Sequence, residues 1–434
     1  MQYNITIDCV KRTNIHIICT CLILTLLIGC RSDYPYIEYE GNPGKAEFNN
    51  IDSCIPIMLS IDKAFFESYT RGMGAFDEVE DKSSIDDIRI FAFYTPKGIS
   101  DGPDSTDYTE RMNTKDNKKF HCLVDDANND NIGHGKRARP NSGNPSLLEW
   151  VDGDKVYYSN KHPQFRYHFF AYHIDDAANM NEEPNRYTDY VAYNIALDGT
   201  QDLMYSCAQP TKEQLAQIAK LADSNNKSFI HNLNKLTYST ESAFRDLIPV
   251  FKMKHQLAFV KFFLKAEKVA GADTLDPAIE NVRVRNITIK DAPFEGEFIV
   301  AAEDTTQLGI TFSTETTDYY MPVEKEGHII SGNKNGFAPL TPDSTGCWIG
   351  AGLLLPPIKT HTLELDCYID ENKNGFFDNG EGYVQTFKLI PPKGFEPGHQ
   401  YEVNIKVYGP RNISLQWGAI EWKEGDDIDV GEER

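Results

Sequence analysis

Alternating apolar and polar positions mark most of this chain as β-strands. Several segments show partial period-two alternation and are rich in β-branched and aromatic residues, and clusters of Gly, Pro, Asn and Asp separate them. These segments are Ile85–Tyr94, Phe165–Ile174, Leu257–Ala266, Val282–Lys290 and, nearer the C-terminus, THTLELDCYI, YVQTFKLI and YEVNIKVY. The pattern predicts an all-β fold, mainly β with few helices.

One segment has the pattern of a helix. In TKEQLAQIAKLAD, Thr211–Asp223, the spacing of Thr211 and Gln214 is that of an N-terminal capping box. The polar run DSNNKS follows it. The helix and this run predict a divide near residues 210–245, with one β-rich domain over 72–245 and a second over 246–434.

The first 29 residues are predicted to be a lipoprotein signal peptide. Lys11 and Arg12 give it a positive start, and Ile15–Gly29 is an apolar stretch too short to span a bilayer comfortably. It ends in LLIGC, a sequence that resembles a bacterial lipobox and makes Cys30 the lipidated first residue of the mature chain. The alternative is an ordinary signal peptide with a Cys near its end.

The formal charge of the chain is −22, and removal of residues 1–29 takes away Lys11, Arg12 and Asp8, a net +1, leaving −23. Such acidity argues against nucleic acid as a partner and favours solubility outside the cell. The chain has no Gly-rich phosphate loop, no G-x-S-x-G elbow and no H-E-x-x-H motif. We therefore predict that it is not an enzyme.

Five cysteines remain after Cys30, an odd number, and their spacing indicates no disulfide framework although export makes disulfides possible. They are Cys54, Cys122, Cys207, Cys347 and Cys367. Their pairing is left open.

The stretch DENKNGFFDNGE matches the spacing of a calcium-binding EF-hand loop. Gly375 permits the sharp turn of this template. The predicted ligands are the side chains of Asp370, Asn372, Asn374, Asp378 and Glu381 and the backbone carbonyl of Phe376. Because the flanking residues have the pattern of strands, we expect a structural Ca²⁺ that pins a hairpin loop. The alternative is an Asn- and Gly-rich loop of similar sequence with no ion.

Several stretches, in their order along the chain, resemble the fimbrillin family, the lipoprotein pilins of Bacteroidetes. Besides the lipobox they are SCIPIMLSI, YTRGMGAFDE, QDLMYS, FKMKHQLAFVKFFL and FEPGHQYEVNIKVYGPRNISLQWGAIEW. The resemblance covers nearly the whole chain. It implies two transthyretin-like β-sandwich domains in tandem. It also implies a surface fimbrium (pilus) that mediates cell adhesion, with other fimbrial subunits as partners.

The resemblance further implies a maturation step. A leader segment over residues 30–71 carries the first strand, Cys54–Ile61, which we expect to be apolar on both faces and buried between neighbours. An Arg-specific protease would cut between Arg71 and Gly72, and the vacated groove would accept a strand from another subunit by donor-strand exchange. The donor strand would lie within Ile413–Trp422. A single exposed arginine is the alternative for Arg71.

One departure from the family pattern is the acidic tail KEGDDIDVGEER, which would be costly to bury in a partner's groove. The sequence therefore favours a minor or tip subunit as much as a shaft subunit. We expect an outer-membrane lipid anchor before processing and a place on the cell surface after it, with a host or bacterial ligand left open. The alternative function is a surface glycan-binding lipoprotein of a nutrient-uptake system, and a secreted hydrolase lacks a convincing acid/base pair.

Overall fold

Strands dominate the part of the chain that the structure, a computed structural model, describes. The described residues are 55–62, 88–94, 122–125, 133–158, 166–174, 183–187, 189–222, 237–325 and 328–420, and they all fall within the unit Cys54–Arg434. No helix among them is long and apolar enough to cross a membrane. The predicted all-β class is confirmed.

The strands are β1 Leu59–Ile61, β2 Ile88–Tyr94, β3 Cys122–Val124, β4 Lys136–Pro140, β5 Leu147–Trp150, β6 Tyr167–Ile174, β7 Asn185–Arg186, β8 Tyr190–Ala196, β9 Leu203–Cys207, β10 Val250–Phe251, β11 Lys254–His255, β12 Ala258–Ala266, β13 Val282–Pro293, β14 Glu295–Ala302, β15 Gly309–Phe312, β16 Thr316–Tyr320, β17 Val323–Lys325, β18 His328–Ile330, β19 Cys347–Leu355, β20 His361–Ile369, β21 Gly382–Leu389, β22 Gln400–Gly409 and β23 Asn412–Ile420. The helices are α1 Lys212–Ala222 and α2 Thr240–Ala243, with 3₁₀ turns at Pro277–Asn281 and Thr305–Gln307.

The largest sheet has nine strands in the order β10-β1-β5-β4-β2-β6-β9-β11, with β3 paired to β2. Successive residues of a strand point to opposite faces, and here both faces are buried at the centre of the sheet. On β2, for example, Ile90 packs into one hydrophobic cluster and Phe91 into another. We call the first of these the leader-side cluster; it is formed by buried residues between Ile55 and Met253.

The second cluster extends into three four-stranded sheets, ordered β19-β12-β22-β23, β16-β13-β20-β21 and β15-β14-β8-β7. Strands β12 and β13 each bury alternate residues in it, so two of these sheets pack their inner faces into one core, as in a β-sandwich. The third sheet pairs β8 with β14 between Glu295↔Ala196 and Ala302↔Tyr190.

The sequence located the main elements closely. The predicted helix is α1, and its capping box is present. The backbone N–H of Gln214 donates to Thr211 Oγ1 at 3.2 Å, and the backbone N–H of Thr211 donates to Gln214 Oε1 at 3.0 Å. The domain boundary near residue 245 stays a prediction. The pairing of β8 with β14 shows that segments from both sides of this boundary share one sheet.

Candidate functional site

The first described strand, β1, lies inside the nine-stranded sheet, parallel to β10 and antiparallel to β5. The Ser60 N–H donates to the Pro249 carbonyl at 2.9 Å on one side, and the Ile61 N–H to the Ser146 carbonyl at 2.9 Å on the other. Just before β1, the Ile57 N–H donates to the Val156 carbonyl at 2.8 Å. Neighbouring chain therefore pairs with the backbone of this segment on both sides.

Alternate side chains of the segment enter the leader-side cluster. Ile55, Ile57, Leu59 and Ile61 are all buried, whereas Met58 between them is 48% exposed. The expectation of a strand buried on both faces is therefore wrong for the outer face. The segment is held by backbone pairing at its edges, by the Ser60 hydroxyl, which donates to the Ser146 carbonyl at 2.7 Å, and by one row of aliphatic side chains.

A group of aromatic side chains belongs to the same leader-side cluster as this row. The ring of Tyr158 is 6.4 Å from Tyr167 and 6.2 Å from Phe169, and Phe169 meets Tyr238 edge to face at 6.0 Å. Burial raises the pKa of Tyr158 well above its ordinary value, and the nearby Tyr238 and Tyr167 add to the effect. The seat of the leader segment, meaning the surface that Ile55–Ile61 covers, is therefore a neutral apolar floor with phenol groups.

The predicted donor strand is β23, the edge strand of its sheet. It pairs with β22 from Gln400↔Ile420 to Gly409↔Asn412. Leu415 and Trp417 pack partly buried against the large cluster, and Trp417 lies 6.1 Å from Phe395. An edge strand can leave a sheet without disrupting other pairs, but β23 would first have to give up this pairing.

The calcium-type loop joins β20 to β21, which pair from His361↔Leu389 to Tyr368↔Gly382. It is therefore a hairpin loop without a helix pair, as the sequence predicted. The Asp370 carboxylate is buried and accepts the N–H groups of Asn374 at 3.0 Å and Gly375 at 3.1 Å. Arg283 Nη2 also lies 3.3 Å from it. At Gly375, φ is +78°, the left-handed region that favours glycine.

The other predicted ligands gather around Asp378. Its Oδ2 accepts the side-chain amides of Asn372 and Asn374, each at 2.8 Å, and its N–H donates to Glu381 Oε2 at 3.0 Å. Phe376 points outward with 74% exposure. Calcium binds oxygen, so an ion here requires both amides to present their oxygens. Among the described residues, no group of three or more His, Cys, Asp or Glu is arranged to hold a metal.

The tryptophans bear on glycan binding. Trp348 is 44% exposed, but Lys261 Nζ lies 4.5 Å from its ring centroid and Phe263 packs against it edge to face at 5.1 Å. Trp150 and Trp417 are partly buried, and the fourth tryptophan lies beyond the described residues. The described tryptophans thus do not present a pair of open rings.

Three predicted site residues, Cys30, Arg71 and Gly72, lie outside the described residues, as do Cys54 and Trp422. Sequence reasoning missed the phenol groups beneath the leader segment. Their signal was weak, because tyrosines of alternating strands are ordinary core residues until their neighbours in the fold are known. The described thiols of Cys207, Cys347 and Cys367 are free.

No protein-family model matches the chain, and no curated protein matches it either. Solved structures do. One is a candidate cell adhesion protein from Bacteroides uniformis, 11% identical, with a TM-score of 0.42 over 86% of this chain and 100% of that one. A fimbrial protein from Bacteroides vulgatus is 12% identical, with a TM-score of 0.40 over 85% and 99%.

The fimbrial anchor protein Mfa2 from Porphyromonas gingivalis is 9% identical, with a TM-score of 0.30 over 84% of this chain and 99% of that one. At these identities and scores the likenesses carry no argument about function.

Proposed function

We propose that the chain is a structural or adhesive subunit of a surface fimbrium and that strand exchange assembles it. The supporting observation is the place of the leader segment. Ile55–Ile61 lies inside a sheet, yet among the described residues it is held by short pairings, one hydroxyl hydrogen bond from Ser60 and one row of four aliphatic side chains. A cut after Arg71 would separate this segment from the rest of the chain.

Loss of the segment would leave a seat that needs a new strand. The backbone groups that now pair with it, those of β5, β10 and Val156–Tyr158, would become edges. The apolar floor would also be exposed, and reburial of apolar area contributes about 25 cal/mol per Å². A strand from another subunit that presents aliphatic side chains at alternate positions meets both requirements.

The two ends of the chain define two roles. A shaft subunit donates Ile413–Trp422, which requires β23 to leave β22. A minor or tip subunit accepts a strand and keeps β23 in its own sheet. The acidic tail after Trp422 favours the second role, because unpaired carboxylates are costly to bury in a groove.

Export as a lipoprotein is the first step of this proposal. Cys30 would carry the lipid and hold the precursor at the outer membrane, and the cut between Arg71 and Gly72 would release the mature subunit. While the leader fills its own seat, the precursor should stay monomeric, since an intramolecular strand outcompetes one from another molecule.

The N-terminal residue of the chain recovered from surface filaments tests these steps. Mass spectrometry should find Gly72 first in the wild-type chain, and the Arg71→Ala chain should be absent from filaments while Lys82→Ala, a matched basic change, is incorporated normally. Recovery of lipidated Cys30 in filaments, or equal incorporation of Arg71→Ala, would contradict processing at this site.

We also propose that Ca²⁺ pins the β20–β21 loop. The ligands would be Asp370, Asn372, Asn374, Asp378 and Glu381, with the Phe376 carbonyl. Supporting this, all five of these side chains already contact one another or adjacent loop amides. Arg283 now balances the Asp370 charge, so a bound ion would compete with it.

A further inference from the structure

One buried phenol group beside the leader segment, that of Tyr158, has no hydrogen-bond partner among the described residues. Tyr158 is 3% exposed. Its hydroxyl can both donate and accept a hydrogen bond. Buried polar groups in folded proteins are nearly always paired, and an unpaired one costs free energy. The leader segment therefore fills its seat but leaves the Tyr158 hydroxyl without a hydrogen bond to a described residue.

The leader residue nearest in the strand pairing is Ile55. The Tyr158 N–H donates to the Ile55 carbonyl at 3.0 Å, and the preceding pair, Pro56 and Tyr157, forms an antiparallel bridge. Residues directly opposite in such a pair point to the same face. The side chain of Ile55 is thus the cross-strand neighbour of Tyr158, and it has no polar atom to offer.

The surroundings of the hydroxyl call for a neutral partner. Tyr158 packs among Tyr167 and Phe169, and its pKa is raised by burial, so the phenol stays protonated and both donates and accepts. A charged side chain placed there would itself be buried without a counter-charge. An amide or a hydroxyl would satisfy the phenol at no such cost.

We propose that the strand which replaces the leader carries an uncharged hydrogen-bonding side chain, Gln, Asn or Thr, where Ile55 now lies. At the positions of Ile57, Leu59 and Ile61 the same strand carries aliphatic residues, because those positions are fully apolar. This inference rests on the proposed exchange. The incoming strand satisfies the Tyr158 hydroxyl that the leader leaves unpaired, and this difference favours replacement of the leader.

Peptides test the preference directly. The full chain, cleaved after Arg71 and freed of its leader, is titrated with fluorescent peptides of residues 53–62 that carry the native Ile55, Ile55→Gln or Ile57→Gln. The Ile55→Gln peptide should bind about tenfold more tightly than the native peptide, the value of one added hydrogen bond to a buried group. The Ile57→Gln peptide should bind more weakly than native, since residue 57 is buried opposite Val156, whose side chain has no hydrogen-bonding group.

The Tyr158→Phe chain is the matched control. It keeps the ring and removes only the hydroxyl, so the advantage of the Ile55→Gln peptide should vanish. The uncleaved Tyr158→Phe chain should also melt no lower than wild type, because the hydroxyl contributes nothing while the leader is seated.

Three results would overturn the inference. If the native peptide binds and the Ile55→Gln peptide shows no advantage, the side-chain preference is wrong and the exchange itself stands. A lower melting temperature for Tyr158→Phe would mean that the hydroxyl is already satisfied. If no peptide binds the cleaved chain, the exchange is wrong and the preference falls with it.

Discussion

The leader strand β1 and the C-terminal strand β22 differ widely in how many of their residues pair with neighbouring strands. Both are inner strands with a neighbour on each side. Yet β1 matches only two residues on each neighbour, whereas β22 matches eight consecutive residues of β12, Phe259–Ala266, and nine of β23. Their inward side chains are equally buried: Leu59 is 2% exposed and Tyr401 is 3% exposed.

This difference shows that burial of side chains and attachment of a strand are separate properties. The inward rows of β1 and β22 each remove aliphatic area from water, at about 1.5–3 kcal/mol per fully buried side chain. Only β22 is also held by long backbone ladders. A strand held chiefly by its side chains can be replaced by another strand with a similar inward row, which is what an exchanging subunit needs.

The largest expected effect on stability comes from shortening one buried side chain of β22. Ile405→Ala, in the inward row of β22, should lower the free energy of unfolding of the intact chain by about 2–5 kcal/mol, since the core cannot fill the space. Chemical denaturation of the uncleaved chain measures this. In the chain cut after Arg71, the same variant should release the leader at the wild-type rate.

Leu59→Ala is the counterpart in β1. In the cut chain it should speed leader release at least about 30-fold, the equivalent of about 2 kcal/mol. Release is followed by size-exclusion chromatography after limited proteolysis. Equal release rates for Leu59→Ala and Ile405→Ala would mean that the leader is not held through its own inward row.

Acid should destabilise the folded chain through His361 at the start of β20. Its Nε2 lies 2.9 Å from the Pro356 carbonyl, and burial lowers its pKa from 6.5 to about 4. In the unfolded chain His361 gains a proton below pH 6.5, whereas in the folded chain it gains one only near pH 4. The stability from neutral His361 is therefore complete above pH 6.5 and is lost as the pH falls to 4, by about 3 kcal/mol.

Denaturation at pH 7.5 and pH 4.5 tests this. His361→Gln retains an amide that can donate to Pro356, so it should fold and show a smaller loss between the two pH values than wild type. The partly exposed His399 supplies the control, since His399→Gln makes the same substitution at a side chain in contact with solvent. Identical losses in wild type and His361→Gln would rule out this residue as the cause.

The smallest expected effect is that of Ca²⁺ on the β20–β21 loop. An ion that binds only the folded chain at tenfold excess over its Kd adds about 1.4 kcal/mol, so millimolar Ca²⁺ should raise the Tm by a few degrees. Differential scanning calorimetry with Ca²⁺ or EDTA measures it. The double variant Asp370→Ala, Glu381→Ala should melt at one temperature in both buffers, and a retained rise would remove the site.

Much of the fold followed from local patterns. Period-two alternation located strands such as β12 and β20 to within a residue or two, because each has one face buried and one face in solvent. The capping box of α1 is equally local, since Thr211 and Gln214 are three residues apart. The calcium-type loop could be placed on a hairpin for the same reason, from the strands on either side of it.

What the sequence could not supply depends on distant partners. The apolar run at Ile55–Ile61 looked buried on both faces, but Met58 is 48% exposed, and whether a second layer covers that face depends on distant parts of the chain. Likewise, nothing local distinguishes Tyr158 from any other core tyrosine. Its unpaired hydroxyl exists because the chain brings Ile55, about a hundred residues away, opposite it.

By itself, then, the sequence determined which segments are strands, where the helix begins and what chemistry the loop at Asp370–Glu381 carries, because these depend on neighbours a few residues apart. Only the tertiary structure decided which strands share a sheet, which face of the leader is covered and which hydroxyl is left unpaired. Those outcomes depend on contacts between residues far apart in the chain, and the free energy of such contacts is set by the packing of all their partners.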